Sequence, residues 1–293
     1  MNDPIREFRA AMLNHGLSYD GEIIPGKIHR FPGHGKCRSN RAGWYIMFDD
    51  MRGGAYGDYS TGVTEYWQAD NTRQLTAIER EQQQQAIIRA QLQRRAEDDE
   101  RHRKAAIAVG EKLSKAKPET GEHRYLRTKQ IGPHGTYTNG FNLLIPISDI
   151  HGNIQTLQTI SPQGDKRFFT GGKIAGGMFR IGAFDPHGTC LVCEGFATAA
   201  TLCEETGHTT VAAMNAGNLL TVCQSIRHRF RDIRIVVAAD NDRFTEGNPG
   251  ITKARQAALA VGGGLIVPEF PDDCDGTDYN DLINWQRQHG GQS

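Results

Sequence analysis

The sequence has no run of 18 consecutive apolar residues, which excludes an ordinary membrane-spanning helix. Its first ten residues include Asp3 and Glu7 and lack an apolar core segment, so they do not read as a secretory signal. Cysteine is scarce. Six scattered thiols in 293 residues make no disulfide framework and point to a reducing, cytoplasmic setting. Net charge is absent, since 34 Lys and Arg cancel 34 Asp and Glu. That balance predicts neither nucleic-acid binding nor its absence, because an average can hide opposed patches. The Gly-rich block at 171–177 lacks P-loop spacing, which excludes an ATPase motor. No internal repeat is visible. What is present suffices for a folded core: 38% of residues are hydrophobic.

Composition separates four segments. Residues 1–72 combine a short helix (Ile5 to Asn14) with Gly- and aromatic-rich alternating runs such as Trp44 to Phe48. They are expected to form a small, mostly antiparallel α+β unit. Residues 73–118 contain no Pro before Pro118 and only Gly110, and are rich in Gln, Arg, Glu and Ala. Their sparse apolar positions predict a long, solvated linker helix, with a partner contact along its Arg face as the alternative. Residues 119–188 read as a β-rich, basic subdomain, with strands over Phe141 to Ile147 and Ile154 to Ile160. In residues 189–293, strands ending at Cys193, Ala213, Ala239 and Val267 alternate with helices of about ten residues, which predicts an α/β fold with a parallel sheet flanked by helices.

Ligands of open parallel sheets gather beyond the carboxyl ends of the strands. Two of the expected strands end there on acids: Leu191-Val192-Cys193 runs into Glu194-Gly195, and Ile235 to Ala239 runs into Asp240-Asn241-Asp242. A lone strand-end Asp is commonly a helix cap, and a lone Glu-Gly a turn. Three convergent carboxylates without matching bases need a cation, and Mg²⁺ suits hard oxygens and phosphate. Gly195 would let a phosphate or backbone approach closely beside Glu194.

This order of Glu-Gly and Asp-Asn-Asp, 46 residues apart, resembles the Toprim domain of primases, topoisomerases and some nucleases. The longer stretches Leu191 to Ala200, Ala216 to Leu219, Ala238 to Asp242 with Gly250, and Thr277 to Leu282 resemble DNA primases of conjugative plasmids (TraC type) and satellite phages. Leu144 to Ile147, Gly164 to Phe168 and Gly171 to Lys173 fit the same family. Gly43 to Tyr45 and Gly57 to Tyr59 do so more loosely. The resemblance implies that Glu194, Asp240 and Asp242 are catalytic and, with Asp278 and Asp281, hold Mg²⁺ or Mn²⁺; Asp281 equally suits a helix cap. It further implies templated synthesis of short RNA primers on single-stranded DNA from nucleoside triphosphates, with a replicative helicase acting in trans. A Toprim nuclease and a non-catalytic single-stranded-DNA-binding adaptor are the alternatives; the chain is expected to be too short for a topoisomerase gate.

A nucleotidyl-transfer site also needs cations. Lys166, Arg167, Lys173 and Arg180 lie on the Gly-rich block before Glu194, and Arg124, Arg127 and Lys129 interleave with Tyr125. With Asn218, these are the expected nucleotide- and DNA-binding residues. Cys190 and Cys193 form a C-x-x-C that is expected to be buried. His29, His34 and Cys37 lack an evident fourth ligand, so zinc is not expected there. Among the aromatics Trp44, Tyr45, Tyr56, Tyr59, Tyr66 and Trp67, a core role is favoured, with Trp67 the expected exposed exception.

Overall fold

The computed structural model describes residues 3–69 and 77–290. The expected boundary at 72/73 lies outside the described residues. The chain divides into two compact units, 1–89 and 90–293.

The first unit opens with α1 (Pro4–Asn14), whose N-cap Asp3 accepts from the Ile5 amide at 3.0 Å, with Pro4 in the first turn. Phe8 and Met12, one turn apart, point into the core. An antiparallel sheet follows in sequential order: β1 (His29–Phe31), β2 (Gly43–Met47), β3 (Gly53–Asp58) and β4 (Val63–Gln68). Its inner face packs Tyr45, Met47 and Tyr56 on Phe8 and Met12. Trp67 belongs to this packing, with its ring edge-on to Phe8 at 5.3 Å. Exposure falls instead to Tyr59 and Tyr66, which corrects the expectation for Trp67. Tyr66 pairs with Ala55 on the outer face, whereas Trp67 pairs with Gly54 beneath the helix.

Helix α2 (Ala77–Ser114) is long and polar, as composition suggests. It is not wholly solvated: Val109 is fully buried and packs with Leu144 and Leu157, joined by Leu113. The sheet beneath its last turns has the order β5 (Lys117–Pro118), β6 (Tyr137–Thr138), β7 (Leu143–Ser148), β8 (Ile154–Ile160), β9 (Lys166–Phe168), with α3 (Arg124–Lys129) between β5 and β6.

The remaining elements are β10 (Phe179–Ile181), β11 (Thr189–Cys193), α4 (Phe196–Thr206), β12 (Thr209–Ala212), α5 (Leu219–Arg229), β13 (Arg234–Ala238), α6 (Pro249–Ala260), β14 (Gly264–Ile266) and α7 (Tyr279–His289). The third sheet runs β10-β12-β11-β13-β14, parallel throughout except for β10, an antiparallel edge strand on β12. Sequence reading missed β10 because its three residues sit inside a Gly-rich stretch with too few positions to show a period. One face of the sheet packs Leu191, Cys193 and Ala212 against α4; the other packs Cys190, Val192 and Val237 against α5 and α6. Cys190 and Cys193, three residues apart on one strand, therefore point to opposite faces. Burial pushes both thiols up, Cys190 to about 12. Among the described residues, no helix is long and apolar enough to cross a membrane.

Candidate active site

Glu194 follows β11 directly, Asp240 lies two residues past β13, and Asp278 caps α7. The three acids come from separate connections on the carboxyl side of the parallel strands, yet they line one cavity of about 140 Å³. Lys129, Lys166, Tyr125, Gln158 and Thr198 complete much of its wall.

Local geometry fixes each acid. The loop after β13 is tied down by Asn248, whose Oδ1 accepts from the Asp242 amide at 3.1 Å and whose Nδ2 donates to Asn241 Oδ1 at 2.8 Å. Gly250 packs so tightly beneath that loop that a Cβ would stand 2.4 Å from the Asp240 carbonyl oxygen. Asp278 Oδ1 accepts from the Asp281 amide at 2.9 Å, the N-cap bond of α7. Helix α7 is itself held by the buried Asn280, whose Nδ2 donates to the Lys129 carbonyl at 2.7 Å and to Thr201 Oγ1 at 2.8 Å.

The electrostatics are those of a crowded acidic site. Burial, then the Asp278, Glu194 and Asp242 charges, push the Asp240 carboxyl up to about 8, with Lys166 opposing. Burial and Asp242 raise Glu194, against the Ala216 amide and Lys166. Burial and Asp281 raise Asp278, against the Asp281 amide, Lys129 and Lys166. Asp240 Oδ1 is buried with no hydrogen-bond partner. So is the hydroxyl of Tyr125, a side chain only 5% exposed that burial and Asp278 keep protonated.

The other expected residues are spread more widely. Asp242 influences both Glu194 and Asp240, but its Oδ2 accepts from the Gly250 amide at 2.9 Å and it does not line the cavity. Asp281 has both oxygens engaged, Oδ1 by Lys129 at 3.0 Å and Oδ2 by the Thr277 amide at 3.2 Å. Arg124 and Arg127 are exposed on α3, the latter paired with Glu122. Arg167, Lys173 and Arg180 are exposed and away from the cavity wall, Arg180 lying over the Phe184 ring. Asn218 is buried, and its amide spans the Gly-rich loop and β12: Oδ1 accepts from Gly176, and Nδ2 contacts the Ile174, Gly177 and Ala213 carbonyls. It braces the loop rather than facing a ligand.

In the first unit, the His29 ring stacks on Tyr45 at 4.9 Å, His34 Nδ1 lies 3.0 Å from the Gly16 carbonyl and Cys37 contacts Ser39. Among the described residues, no three His, Cys, Asp or Glu side chains stand close enough together to ligate one ion directly.

Tyr125 is buried and lines the cavity, while Arg124 and Arg127 beside it are exposed. Spacing held the signal: on a helix Tyr125 and Lys129 (i, i+4) share one face, and Arg124 and Arg127 (i, i+3) another.

Residues 189–289, the span that carries Glu194, Asp240 and Asp278, match the family model of the Toprim domain. Over 283 residues, 91% of this chain, the sequence is 35% identical to a DNA primase TraC of Escherichia coli. A second Escherichia coli DNA primase TraC is 33% identical over 284 residues. The chain spans about a quarter of the first relative and a fifth of the second (26% and 20%). The primase fragment of the bacteriophage T7 primase-helicase protein superimposes with a TM-score of 0.43 at 14% identity, covering 90% of this chain and 98% of that one.

Proposed function

We propose that the protein is a DNA primase that builds short RNA primers on single-stranded DNA from nucleoside triphosphates, in plasmid or phage replication or transfer. The observation that carries this reading is the joining of Glu194, Asp240 and Asp278 with Lys166 in one small cavity, inside a chain whose relatives are primases. The helicase in trans, the cytoplasmic setting and the four-segment organisation belong to the same proposal.

The donor set fits a divalent cation. Three half-buried carboxyls repel one another, and Asp240 Oδ1 has no partner. The three do not stand close enough for all of them to ligate one ion directly, so Mg²⁺, which keeps several waters, would be held in part through water. Glu194, Asp240 and Asp278 would hold it, with Asp242 tuning their charge and Asp281 bracing Lys129 and α7. Bound there, Mg²⁺ or Mn²⁺ would supply charge neutralisation of the triphosphate oxygens.

The chain's own groups carry the rest. Lys166, which lines the cavity beside the acids, counters their charge and meets phosphate. The first turn of α4 begins at Gly195, has no side-chain cap and borders the cavity, so its amide end favours anions. Glu194, with its carboxyl raised by burial, accepts the proton of the attacking 3′-hydroxyl. The new bond joins that oxygen to the α-phosphorus, the α–β bridge breaks, and pyrophosphate leaves with the electron pair.

Incubation with single-stranded templates, labelled ribonucleotides and Mg²⁺ or Mn²⁺ tests the reading. Short oligomers are expected from the wild type and none from Asp240→Ala or Glu194→Ala, with the fold retained. Normal synthesis by both variants would overturn the site. Shortening of labelled DNA without nucleotides would instead identify a nuclease.

A further inference from the structure

Over residues 91–110 of α2, Ala105 and Val109 are buried and every other position reaches solvent in whole or in part. A helix polar on nearly every side gains little from packing on its own body. From Gln93 to Ala108 one face of α2 borders an open groove of about 750 Å³, whose far wall is Phe169 to Gly171. Its apolar lining is Ala96, Ala105 and Ala108, with the half-buried Phe169 opposite. Gly171 keeps that wall close, since a Cβ there would stand 3.3 Å from the Arg101 Cγ.

Charge along this stretch falls into two blocks. Glu97, Asp98, Asp99 and Glu100 are followed at once by Arg101, His102, Arg103 and Lys104. Within the helix Arg101 pairs with Asp98 at 2.9 Å, and Glu100 receives Arg103 at 2.8 Å and Lys104 at 3.5 Å. Those contacts still leave the Arg101 and Lys104 side chains 59% and 72% exposed. Of the two blocks, Glu97, Glu100, Arg101 and Lys104 border the groove, three or four residues apart and so on one face.

The order of the blocks is self-complementary. A second α2 laid antiparallel, about a two-fold axis crossing between residues 100 and 101, sets the acidic block of each helix along the basic block of the other. Glu97 then faces Lys104 of the partner subunit, and Arg101 lies beside the partner's Glu97. Parallel pairing in register would set each charge against its own kind. The alanines let the two backbones approach, with Phe169 beside the incoming helix. Exposed ion pairs contribute little apiece, so the charges set direction and register while apolar contact supplies the association. A nucleic-acid strand would meet the basic block and be repelled by the acidic one.

We propose that this face of α2, Gln93 to Ala108, docks a second copy of the chain, with the two helices antiparallel. The inference concerns residues outside the carboxylate cavity and does not depend on the primase reading.

Sedimentation velocity of the full-length protein, in EDTA and without DNA, is followed across a concentration series. The wild type is expected to pass from monomer to dimer. Glu97→Lys/Glu100→Lys makes the face basic throughout, and Arg101→Glu/Lys104→Glu makes it acidic throughout. Each double variant should weaken dimerisation about tenfold or more, because attractive contacts become repulsive at both symmetry-related places. Mixed in equal amounts, the two variants should associate at least as tightly as the wild type. All four side chains reach solvent, so helix content and unfolding temperature of the separate variants should stay close to those of the wild-type monomer. Asp240→Ala should dimerise normally. A wild type that stays monomeric throughout the series, as it would if its own chain filled the groove, overturns the proposal. So does a dimer indifferent to both double variants, or a mixture of them that fails to associate.

Discussion

Replacing Asp240 by asparagine should stabilise the metal-free protein, and the gain should grow as the pH rises. In the unfolded chain this carboxyl titrates near 3.8; in the folded protein burial and three neighbouring acids push it up to about 8. The folded state therefore binds the proton more tightly. Stability is complete below about pH 4 and falls as pH rises towards the folded value. Each unit of that interval costs about 1.4 kcal/mol, so the ceiling at pH 7 is about 4 kcal/mol. For a unit of about 200 residues this corresponds to roughly 3–6 °C of unfolding temperature per pH unit. Thermal unfolding in EDTA at pH 5, 6, 7 and 8 is the assay, read as the difference between Asp240→Asn and wild type. The difference should widen across the series. Mg²⁺ should then raise the wild type and leave the variant nearly unmoved, because an ion that binds only the folded state stabilises it by mass action. A difference that is the same at pH 5 and pH 7 would refute the electrostatic account of the site.

Other outcomes follow from individual contacts. Asn218→Ala strips partners from four backbone groups, of Gly176, Ile174, Gly177 and Ala213, and should cost about 2–4 kcal/mol in urea unfolding. Gly250→Ala forces a Cβ to within 2.4 Å of the Asp240 carbonyl oxygen, so it should shift the acid loop and cut primer synthesis more than tenfold. Tyr125→Phe removes a buried hydroxyl that has no partner in the protein; unfolding temperature without metal should hold or rise, while affinity for Mn²⁺ with a nucleoside triphosphate drops about tenfold.

The helices and strands of the C-terminal domain were legible because they are long enough to show a period, and α5 and α7, at 11 residues each, match the expected length of about ten. The acids that follow β11 and β13 were legible because a parallel sheet sends its strand ends to one side. Other features depend on partners distant in sequence. Nothing near Asn218 reveals that its amide ties loop 174–177 to the end of β12. Asp281 reads as a metal candidate until Lys129, 152 residues earlier, is seen to pair with it. The basic residues divide between the cavity and the open surface for the same reason. Lys166 reaches the acids because it lies on the face of β9 in register with the buried Ile160, while Arg167 beside it points the other way. The aromatics of the first unit divide likewise by alternation, which the short, Gly-interrupted strands obscure.

The capping of α7 by Asp278 has a consequence for how the protein comes into being. Glu194 and Asp278 are 84 residues apart, and the second acid is held by a helix fastened to α3 and α4 through Asn280. Ribosomal synthesis delivers that helix after every other part of the cavity. A nascent or clipped chain ending ahead of Asp278 would possess the sheet, Glu194 and Asp240 but not the arrangement that makes them useful. Under the proposed function, metal affinity would thus report the arrival of α7 rather than of the sheet.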